Sequence, residues 1–305
     1  MEKTEPAYIR TQASGALSEK IRDSRQILEN CELCPRRCGV NRLAGETSIC
    51  KTPKEAQVSS FNAHFGEEAP LVGRNGSGTI FFTHCNLMCC FCQNFDISHE
   101  GWGHPVNDEE LAAIMIAFQD EGCHNINLVT PSHVVPQFLS ALEKAVSAGL
   151  SLPIVYNSGG YDRVETLRLL EGVVDIYMPD FKFWDSAIAG AACDAPDYPD
   201  VAKAAIREMH RQAGDLKTDE HGIARSGLLV RHLVLPQNLA GTRPIMRFLH
   251  DNVSPHTYVN IMPQYRPCGN AHEVKGLDRR ITSAEFQTAR EAAREEGITR
   301  LDRIR

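Results

Sequence analysis

The feature that most constrains the fold is a sixfold recurrence of short apolar runs rich in β-branched residues. Such runs are typical of buried strands, and they lie at 78–84, 125–131, 152–158, 173–179, 228–236 and 257–263. Helical patterns separate most of them, and two of these patterns begin with a capping box, Asn107 with Glu110 and Thr282 with Glu285. Strands that alternate with helices pair in parallel, so the sequence predicts an α/β fold, a partial (β/α)6 TIM-type barrel.

The 305 residues suit one α/β barrel preceded by a smaller segment. Composition changes near residue 70, which predicts a cysteine-rich amino-terminal segment at 1–70 and a barrel at 71–305. The connection from Asp180 to Gly227 is longer than the others, and we expect an insertion beside the barrel at about 183–227. It contains a helical pattern and then a polar stretch that could turn back as a hairpin.

Charge and composition exclude several classes of function. A net charge of −7 argues against a nucleic-acid partner, and the short basic run "PRR" (35–37) is expected to be solvated surface. No stretch approaches ~18 consecutive apolar residues and the first residues lack a signal-peptide pattern, so we expect a cytoplasmic protein without a membrane partner. Eleven cysteines would be reduced there, and clustered ones then favour metal binding over disulfides.

Polar side chains follow the predicted strands at the point where each strand ends. In a parallel barrel these loops form the active-site rim, and here they are the cysteine loop, "TPSH" (130–133), "NSGG" (157–160), "DFK" (180–182) and "QYRPCGN" (264–270). Their ionisable groups are expected to converge. Asn157 is a candidate cofactor contact, although the "NSGG" loop by itself is equally consistent with a plain turn.

The loop after the first barrel strand contains Cys85, Cys89 and Cys92, in the pattern C-x3-C-x2-C. A structural zinc site would need a fourth ligand, which His84 or His99 could supply. Alternatively, three thiolates hold three irons of a four-iron cluster and leave the fourth iron open for a substrate. Cys90, next to Cys89, is expected to be a bystander in either case.

This spacing, with aromatic Phe91 before the last cysteine, resembles the radical S-adenosylmethionine (SAM) superfamily. The resemblance implies that Cys85, Cys89 and Cys92 ligate a [4Fe-4S] cluster, whose open iron binds S-adenosyl-L-methionine. It also implies that Phe91 lies beside the adenine, and that an electron donor of the flavodoxin or ferredoxin type reduces the cluster.

Residues 70–265 are similar, more narrowly, to the pyruvate formate-lyase activating enzymes and to uncharacterised relatives of these. Two stretches found in those relatives are present here, "CELCPRRCGVNR" (31–42) and "CFCQN" (90–94). The resemblance implies that Lys182 reaches the cofactor carboxylate and that Asp180 helps to hold a monovalent cation. It further implies that the cofactor is contacted by Arg231, Gln264 and Tyr265.

One loop departs from the activating enzymes, which have Gly-Gly-Glu after the second strand where this chain has Thr130-Pro131-Ser132-His133. The missing acidic contact to the cofactor's amino group could be replaced by Thr130, Ser132 or His133, or His133 could serve the substrate as a general acid or base. Equally, Ser132 or His133 could cap the next helix.

Four further cysteines lie in the amino-terminal segment, Cys31, Cys34, Cys38 and Cys50. Their spacing suits either a zinc site or a second iron-sulfur cluster. Three single cysteines carry less weight: Cys123 and Cys193 are expected to be packed thiols, and Cys268 lies on the predicted rim.

The sequence therefore predicts an oxidoreductase that cleaves SAM to a 5′-deoxyadenosyl radical, which abstracts hydrogen. A glycyl-radical-type partner protein is one possible substrate, and a small metabolite is the alternative. Two other classes stay open: a non-enzymatic iron-sulfur electron carrier, and a zinc-ribbon interaction protein. Lys182 and Asp180 on the rim argue against the first, and the net charge with the three-cysteine motif argues against the second.

Overall fold

The computed structural model describes residues 5–303. The α-helices of this part of the chain are α1 (Ala7–Ala13), α2 (Ala16–Gln26), α3 (Ala69–Val72), α4 (Asp108–Asp120), α5 (Val135–Ser147), α6 (Val164–Leu169), α7 (Ser186–Cys193), α8 (Tyr198–Ala213), α9 (Thr242–Asn252) and α10 (Ser283–Glu295). The strands are β1 (Ala56–His64), β2 (Ser77–Phe82), β3 (His104–Val106), β4 (Ile126–Val129), β5 (Ile154–Ser158), β6 (Ile176–Pro179), β7 (Lys217–Thr218), β8 (Ala224–Leu233), β9 (Tyr258–Met262) and β10 (Arg300–Leu301).

One sheet runs through the molecule in the order β10-β9-β8-β6-β5-β4-β2-β1-β3. Six neighbouring strands, β2, β4, β5, β6, β8 and β9, pair in parallel and correspond to the six predicted apolar runs. The predicted partial (β/α)6 barrel is confirmed. The two edge strands, β3 and β10, do not pair with each other within residues 5–303, so the sheet does not close.

Two helices begin as the sequence predicts. Asn107 accepts a hydrogen bond from Glu110 N while the Glu110 carboxylate accepts one from Asn107 N, which starts α4. Thr282 and Glu285 make the same pair of bonds at the start of α10. Each bond pairs a backbone N–H that a helix start would otherwise leave free.

The amino-terminal segment contributes directly to the sheet. Strand β1 pairs with β2 in antiparallel fashion, so the predicted boundary near residue 70 falls in α3, between two strands of one sheet. Helix α1 is held against the barrel, where Tyr8 Oη donates to Leu152 O at 2.8 Å and Ala7 N donates to Asp175 Oδ1 at 2.8 Å.

The connection between β6 and β8 contains α7, α8 and β7. Asp185 caps α7 by accepting hydrogen bonds from Ala187 N and Ile188 N. The predicted helix is α8, and the polar stretch after it turns back so that β7 pairs with the start of β8 as a hairpin. This connection contacts the active-site rim.

Apolar side chains fill both faces of the sheet. The helices cover the outer face, whereas a smaller inner cluster joins Leu71 of α3 to Val155, Met178 and Leu229 of the strands. Asn125 Nδ2 donates to Leu71 O at 2.9 Å just before β4 begins, which places α3 at the amino ends of the parallel strands. The opposite end stays available for a site. No helix in residues 5–303 is long and apolar enough to cross a membrane.

Candidate active site

The cysteine loop begins directly after β2 and makes two tight turns. His84 and Met88 adopt left-handed φ values of 70° and 56°. The loop is held by Leu87 N, which donates to Cys85 Sγ at 3.3 Å, and by Cys92 N, which donates to Cys89 O at 3.1 Å. These turns bring three thiols of one short loop to the same side.

The pKa shifts of the thiols show that Cys85, Cys89 and Cys92 lie close to one another. Burial, reinforced by Cys89 and Cys92, raises the pKa of the Cys85 thiol to about 12. A hydrogen bond from Cys193, a residue of α7, lowers the pKa of Cys89, and the charge of Lys182 lowers it further. Cys193 is buried as expected of a packed thiol, yet its sulfur lies within hydrogen-bonding distance of Cys89.

A buried ion-paired group lies beside these thiols at the ends of β6 and β8. Lys182 Nζ donates to Asp180 Oδ2 at 2.5 Å, and Arg231 Nε donates to Asp180 Oδ1 at 2.8 Å. Although burial opposes ionisation, Arg231 and Lys182 keep the pKa of Asp180 below its usual value. Both cations predicted to face the cofactor therefore flank one carboxylate next to Cys89.

Tyr198, the first residue of α8, fastens this group to the loop after β5. Its hydroxyl accepts from Lys182 N at 2.9 Å and lies 2.9 Å from Gly159 O and 3.0 Å from Asp180 O. Gly160 has a φ of 75°, and a Cβ there would lie 2.1 Å from Asp180 O, so only glycine allows this close approach. The insertion thus positions Lys182.

The predicted adenosine contacts are arranged around an aromatic group. Phe91 is buried, with its ring edge-on to Phe183 at 5.9 Å and to Tyr265 at 5.8 Å between ring centroids. Tyr265 Oη donates to Leu277 O at 2.6 Å, so its hydroxyl is already bonded within the protein. Gln264 is exposed, and its carbonyl accepts from Gln93 Nε2 at 3.0 Å.

The "TPSH" loop does not cap the following helix. The residue before α5 is Val134 and no side chain caps it, so the capping role considered for Ser132 or His133 is wrong. His133 is buried and bonds Thr83 O through Nε2 at 2.9 Å, and burial lowers its pKa to about 3. A ring that stays neutral this far down in pH cannot donate a proton as a general acid near neutrality.

Asn157 is buried in β5, where its strand partners are Val129 of β4 and Met178 of β6. Cys90 is half-buried, and its backbone ties the cysteine loop to two neighbours. Cys90 N donates to Ala192 O at 2.8 Å, and Cys90 O accepts from Asn270 N at 2.8 Å. The roles expected of these residues toward a cofactor stay predictions.

Arg36 of the "PRR" run is half-buried and hydrogen-bonded, which corrects the expectation of solvated surface for this residue, whereas Arg37 is exposed as expected. Arg36 donates to Asn86 O at 3.0 Å, to Leu87 O at 3.2 Å and to Cys193 O at 2.8 Å. It also donates to Asp194 O and lies over the Tyr161 ring. One guanidinium therefore joins the amino-terminal segment, the cysteine loop and the insertion, because buried carbonyls need donors.

The four amino-terminal cysteines are gathered around Cys34. Burial raises the pKa of Cys34 to about 12, and the thiols of Cys50, Cys38 and Cys31 raise it further. Arg42, 1% exposed, lies beside them with Nη1 4.0 Å from Cys31 Sγ. Its remaining donors bond the carbonyls of Pro53 and His133, and no carboxylate within residues 5–303 forms an ion pair with it.

In the described part of the chain, no group of three or more Cys, His, Asp or Glu side chains is arranged so that it could hold a metal ion. A tetrahedral zinc site brings its ligands to Zn–S distances of ~2.3 Å from one ion. The thiolates of a four-iron cluster bind different irons and stand farther apart.

Three positions near the site had no signal strong enough to be found in the sequence. Tyr198 and Cys193 lie far along the chain from the cysteine loop, and only the fold of the insertion brings them to it. Arg36 lies within "CPRRC", where its proximity to four cysteines was the available clue.

Comparison with known proteins gives both a relative and a fold. The chain is 35% identical over 285 residues to the uncharacterized protein MJ0674 of Methanocaldococcus jannaschii, covering 91% of this chain and 78% of that one. No protein-family model matches.

Among solved structures, a radical SAM methyltransferase from Sphaerobacter thermophilus is similar with a TM-score of 0.50 and 14% identity, over 74% of this chain and 67% of that chain. Methylornithine synthase (PylB) is similar with a TM-score of 0.49 and 15% identity, over 74% and 70%. The chain thus shares the fold of the methyltransferase and belongs to the same family as the Methanocaldococcus jannaschii protein.

Proposed function

We propose that the chain is a radical SAM enzyme. The observation that carries this proposal is the placement of Cys85, Cys89 and Cys92 on one loop after the first barrel strand, beside the ammonium of Lys182. The fold shared with a radical SAM methyltransferase supports it. An electron carrier would not need the ion-paired group at the rim.

The residues present fit a [4Fe-4S] cluster and SAM by the chemistry of their donors. Three thiols would ligate the cluster, and the nearby Lys182 offsets part of the negative charge that buried thiolates bring. When bound and reduced, this group supplies an electron that cleaves SAM to methionine and a 5′-deoxyadenosyl radical.

The residues at the ends of β6 and β8 would hold and orient the cofactor. Lys182 presents a charged donor that can bond a carboxylate, and Asp180 and Arg231 hold that donor in one direction. Tyr198 fixes the backbone of Lys182 from the insertion. Phe91, Tyr265 and Phe183 form an apolar wall that excludes water beside the cysteine loop.

The finer subtype rests on the resemblance to activating enzymes, in which a partner protein enters the barrel. The open sheet supports a macromolecular substrate, because its edges β3 and β10 leave the barrel unclosed along its side. One observation favours a small metabolite instead: the insertion contacts the cysteine loop through the hydrogen bond from Cys90 N to Ala192 O, next to the proposed site. An external reductant of the flavodoxin or ferredoxin type would serve either reaction.

We further propose that Cys31, Cys34, Cys38 and Cys50 bind zinc or a second iron-sulfur cluster. Arg42 supports this, because a buried guanidinium without a carboxylate requires another source of negative charge. Thiolates bound to a metal would supply it beside Cys31.

The first prediction tests the cluster ligands. Anaerobically reconstituted protein should be brown, contain about four irons beyond the amino-terminal site, and form 5′-deoxyadenosine when reduced with SAM. Changing Cys85, Cys89 or Cys92 to Ala should abolish both the iron signal of this site and the product, because each removes one iron ligand. Cys90→Ala is the matched control and should spare most of both. Full loss in Cys90→Ala, with retention in Cys92→Ala, would overturn the assignment.

A further inference from the structure

A second polar group lies inside the barrel, below the rim, and the proposed cofactor chemistry uses only its Arg231, through Asp180. We call it the interior polar cluster, and its members are Glu67, Glu68, Asn127, Arg231 and Asn260. Arg231 Nη1 lies 4.0 Å from Glu67 Oε2, and Asn260 Nδ2 donates to Glu68 Oε1 at 2.9 Å. The two glutamates immediately precede α3 and reach residues well along β8 and β9.

The cluster is continuous with the site at the rim. Arg231 contacts Glu67 on one side and Asp180 on the other, and Asp180 in turn bonds Lys182 beside Cys89. A molecule seated on the glutamates would therefore lie along the same line of side chains as the three cysteines. The proposed radical reaction would take place next to this line, at the cysteine loop.

Charges along this line do not balance when every group on it is ionised. Asp180, Glu67 and Glu68 are three carboxylates, whereas Lys182 and Arg231 are two cations, so full ionisation leaves one negative charge in excess. Lys182 would be shared with a cofactor carboxylate, which increases the excess. An uncompensated buried carboxylate is costly unless it binds a cation or a proton.

Three buried polar atoms of the cluster also lack partners. Glu68 Oε2 and both amide atoms of Asn127 are inaccessible and make no hydrogen bond of ordinary geometry within the described residues. Glu68 is 4% exposed and Asn127 is 0% exposed. Burial raises the pKa of Glu67, although the charge of Arg231 and the nearby side chains of Glu68 and Asn127 act in the opposite direction. Unsatisfied groups at this depth call for a partner.

We propose that the interior polar cluster binds a protonated nitrogen group of the substrate, an ammonium or a guanidinium. This rests on the proposed radical SAM function for its place in the reaction. Glu68 Oε2 and Asn127 Oδ1 are two acceptors that such a group can donate to, and its charge offsets the excess carboxylate. An anionic substrate would be repelled, because its charge has the same sign as the excess carboxylate charge. Either a small amine or the Lys or Arg side chain of a protein could present this chemistry.

The direct test uses simple cations as probes of the full-length protein. Thermal unfolding is followed with propylammonium or propylguanidinium chloride, with sodium chloride and 1-propanol as the matched ionic and neutral additives. The wild type should be stabilised by one of the organic cations beyond both references, since a ligand that binds only the folded state raises its stability. Glu68→Gln, which keeps the shape of the side chain, should weaken the apparent affinity by about ten-fold or more.

The control variant is Glu29→Gln, an exposed glutamate outside the barrel that should respond as the wild type does. Circular dichroism checks that Glu68→Gln is folded. Equal shifts in the wild type and Glu68→Gln, or no organic-cation shift in the wild type, as expected of a site filled by water alone, would overturn the proposal. These outcomes do not depend on SAM cleavage, so failure of the proposed function is seen separately, as absence of 5′-deoxyadenosine.

The second arm identifies the source of the nitrogen group. Cell extract is divided by a small-pore filter, and each fraction is tested for stimulation of 5′-deoxyadenosine formation by the wild type and by Glu68→Gln. A small amine passes the filter and is retained by a cation exchanger, whereas a protein substrate stays above the filter and loses stimulation when its Lys and Arg side chains are chemically blocked. In both cases Glu68→Gln should lose the stimulation. A stimulating compound without a protonated nitrogen contradicts the inference.

Discussion

At the scale of single residues, the site is organised by carboxylates that are shared between cations. Asp180 accepts hydrogen bonds from both Lys182 and Arg231, so the position of each of these three side chains depends on the other two. Replacing one member of such a group leaves the other charged side chains buried and unpaired. The free-energy cost of those unpaired buried charges is larger than the stability that the same ion pair would contribute if it were exposed to water. The strongest measurable signature of this arrangement is expected at Glu68, whose buried Oε2 has no hydrogen-bond partner within the described residues.

The stability of the folded protein should depend on pH through Glu68. Burial, reinforced by the charge of Glu67, raises the pKa of Glu68 from 4.5 to about 7, although Arg231 and the hydrogen bond from Asn260 act in the opposite direction. An acid with a raised pKa binds its proton more tightly in the folded state, so its contribution to stability is fully present below about pH 4.5 and is lost as the pH rises through about 7. Glu68→Gln has no such loss.

Between about pH 5 and about pH 8, the unfolding free energy of Glu68→Gln should therefore rise relative to the wild type by on the order of 2 to 3 kcal/mol. Denaturant titrations at intermediate pH values measure the difference, with Glu29→Gln as the reference for an exposed glutamate. Parallel profiles for Glu68→Gln and the wild type would show that Glu68 titrates normally.

At the scale of secondary-structure elements, the cysteine loop depends on two segments that are distant in sequence. Helix α7 places Ala192 O on Cys90 N and the sulfur of Cys193 on Cys89. Arg36, in the amino-terminal segment, donates hydrogen bonds to a carbonyl of the cysteine loop and to one at the end of α7, and so links the two. The loop has no regular structure of its own, so its conformation should be only as rigid as these contacts.

Arg36→Met should loosen the cysteine loop without unfolding the barrel. The change removes a charged donor from several buried carbonyls, and we expect a loss of roughly 2 to 4 kcal/mol of stability. Amide hydrogen exchange should accelerate at 85–94 and 190–195 and stay unchanged in the central strands. Arg37→Met is the matched control, since Arg37 is exposed. Equal exchange in the two variants would mean that Arg36 does not hold the loop.

At the scale of the whole molecule, the amino-terminal segment and the barrel form a single folded unit. Strand β1 joins the sheet, α1 bonds the barrel through Tyr8, and Arg42 Nη1 donates to His133 O at 2.8 Å. The turns around Cys31–Cys50 contain little apolar packing, apart from a small cluster of Leu28 with Leu33. A metal would stabilise this part as it does other small cysteine-rich domains.

Metal analysis should find the amino-terminal site even when the cysteine loop is empty. The variant with Cys85, Cys89 and Cys92 all changed to Ala should retain about one zinc or one four-iron cluster per chain. Removing that metal with a chelator should lower the melting temperature, because binding and folding of the segment are coupled. Changing Cys34 to Ala in addition should abolish the remaining metal. Protein that carries neither metal, prepared with or without oxygen, would contradict a metal at this site.

Much of the fold could be predicted from the sequence because its signals are local. Each of the six barrel strands is predicted by one apolar run of a few consecutive residues. The starts of α4 and α10 are predicted by pairs of residues three positions apart. Strands β1, β3 and β10 were not predicted, since the edge strands β3 and β10 are short and the half-exposed β1 lacks a continuous apolar run. The cysteine spacing likewise indicated the site from one short stretch.

What only the tertiary structure decided is which distant side chains meet that loop. Arg36 reaches a carbonyl 50 positions away in sequence, and Asn260 reaches Glu68 across 192 positions. Such pairings leave no periodicity in a sequence, because each depends on where two independent loops are placed by the whole sheet. Burial is decided in the same way: Arg36 of the short "PRR" run was expected to be solvated surface, but the loops packed around it remove part of its water, and the partly desolvated charge then needs partners. The sequence alone determined the barrel and its thiols, whereas the packing of loops inside and around the barrel determined the charges those thiols face.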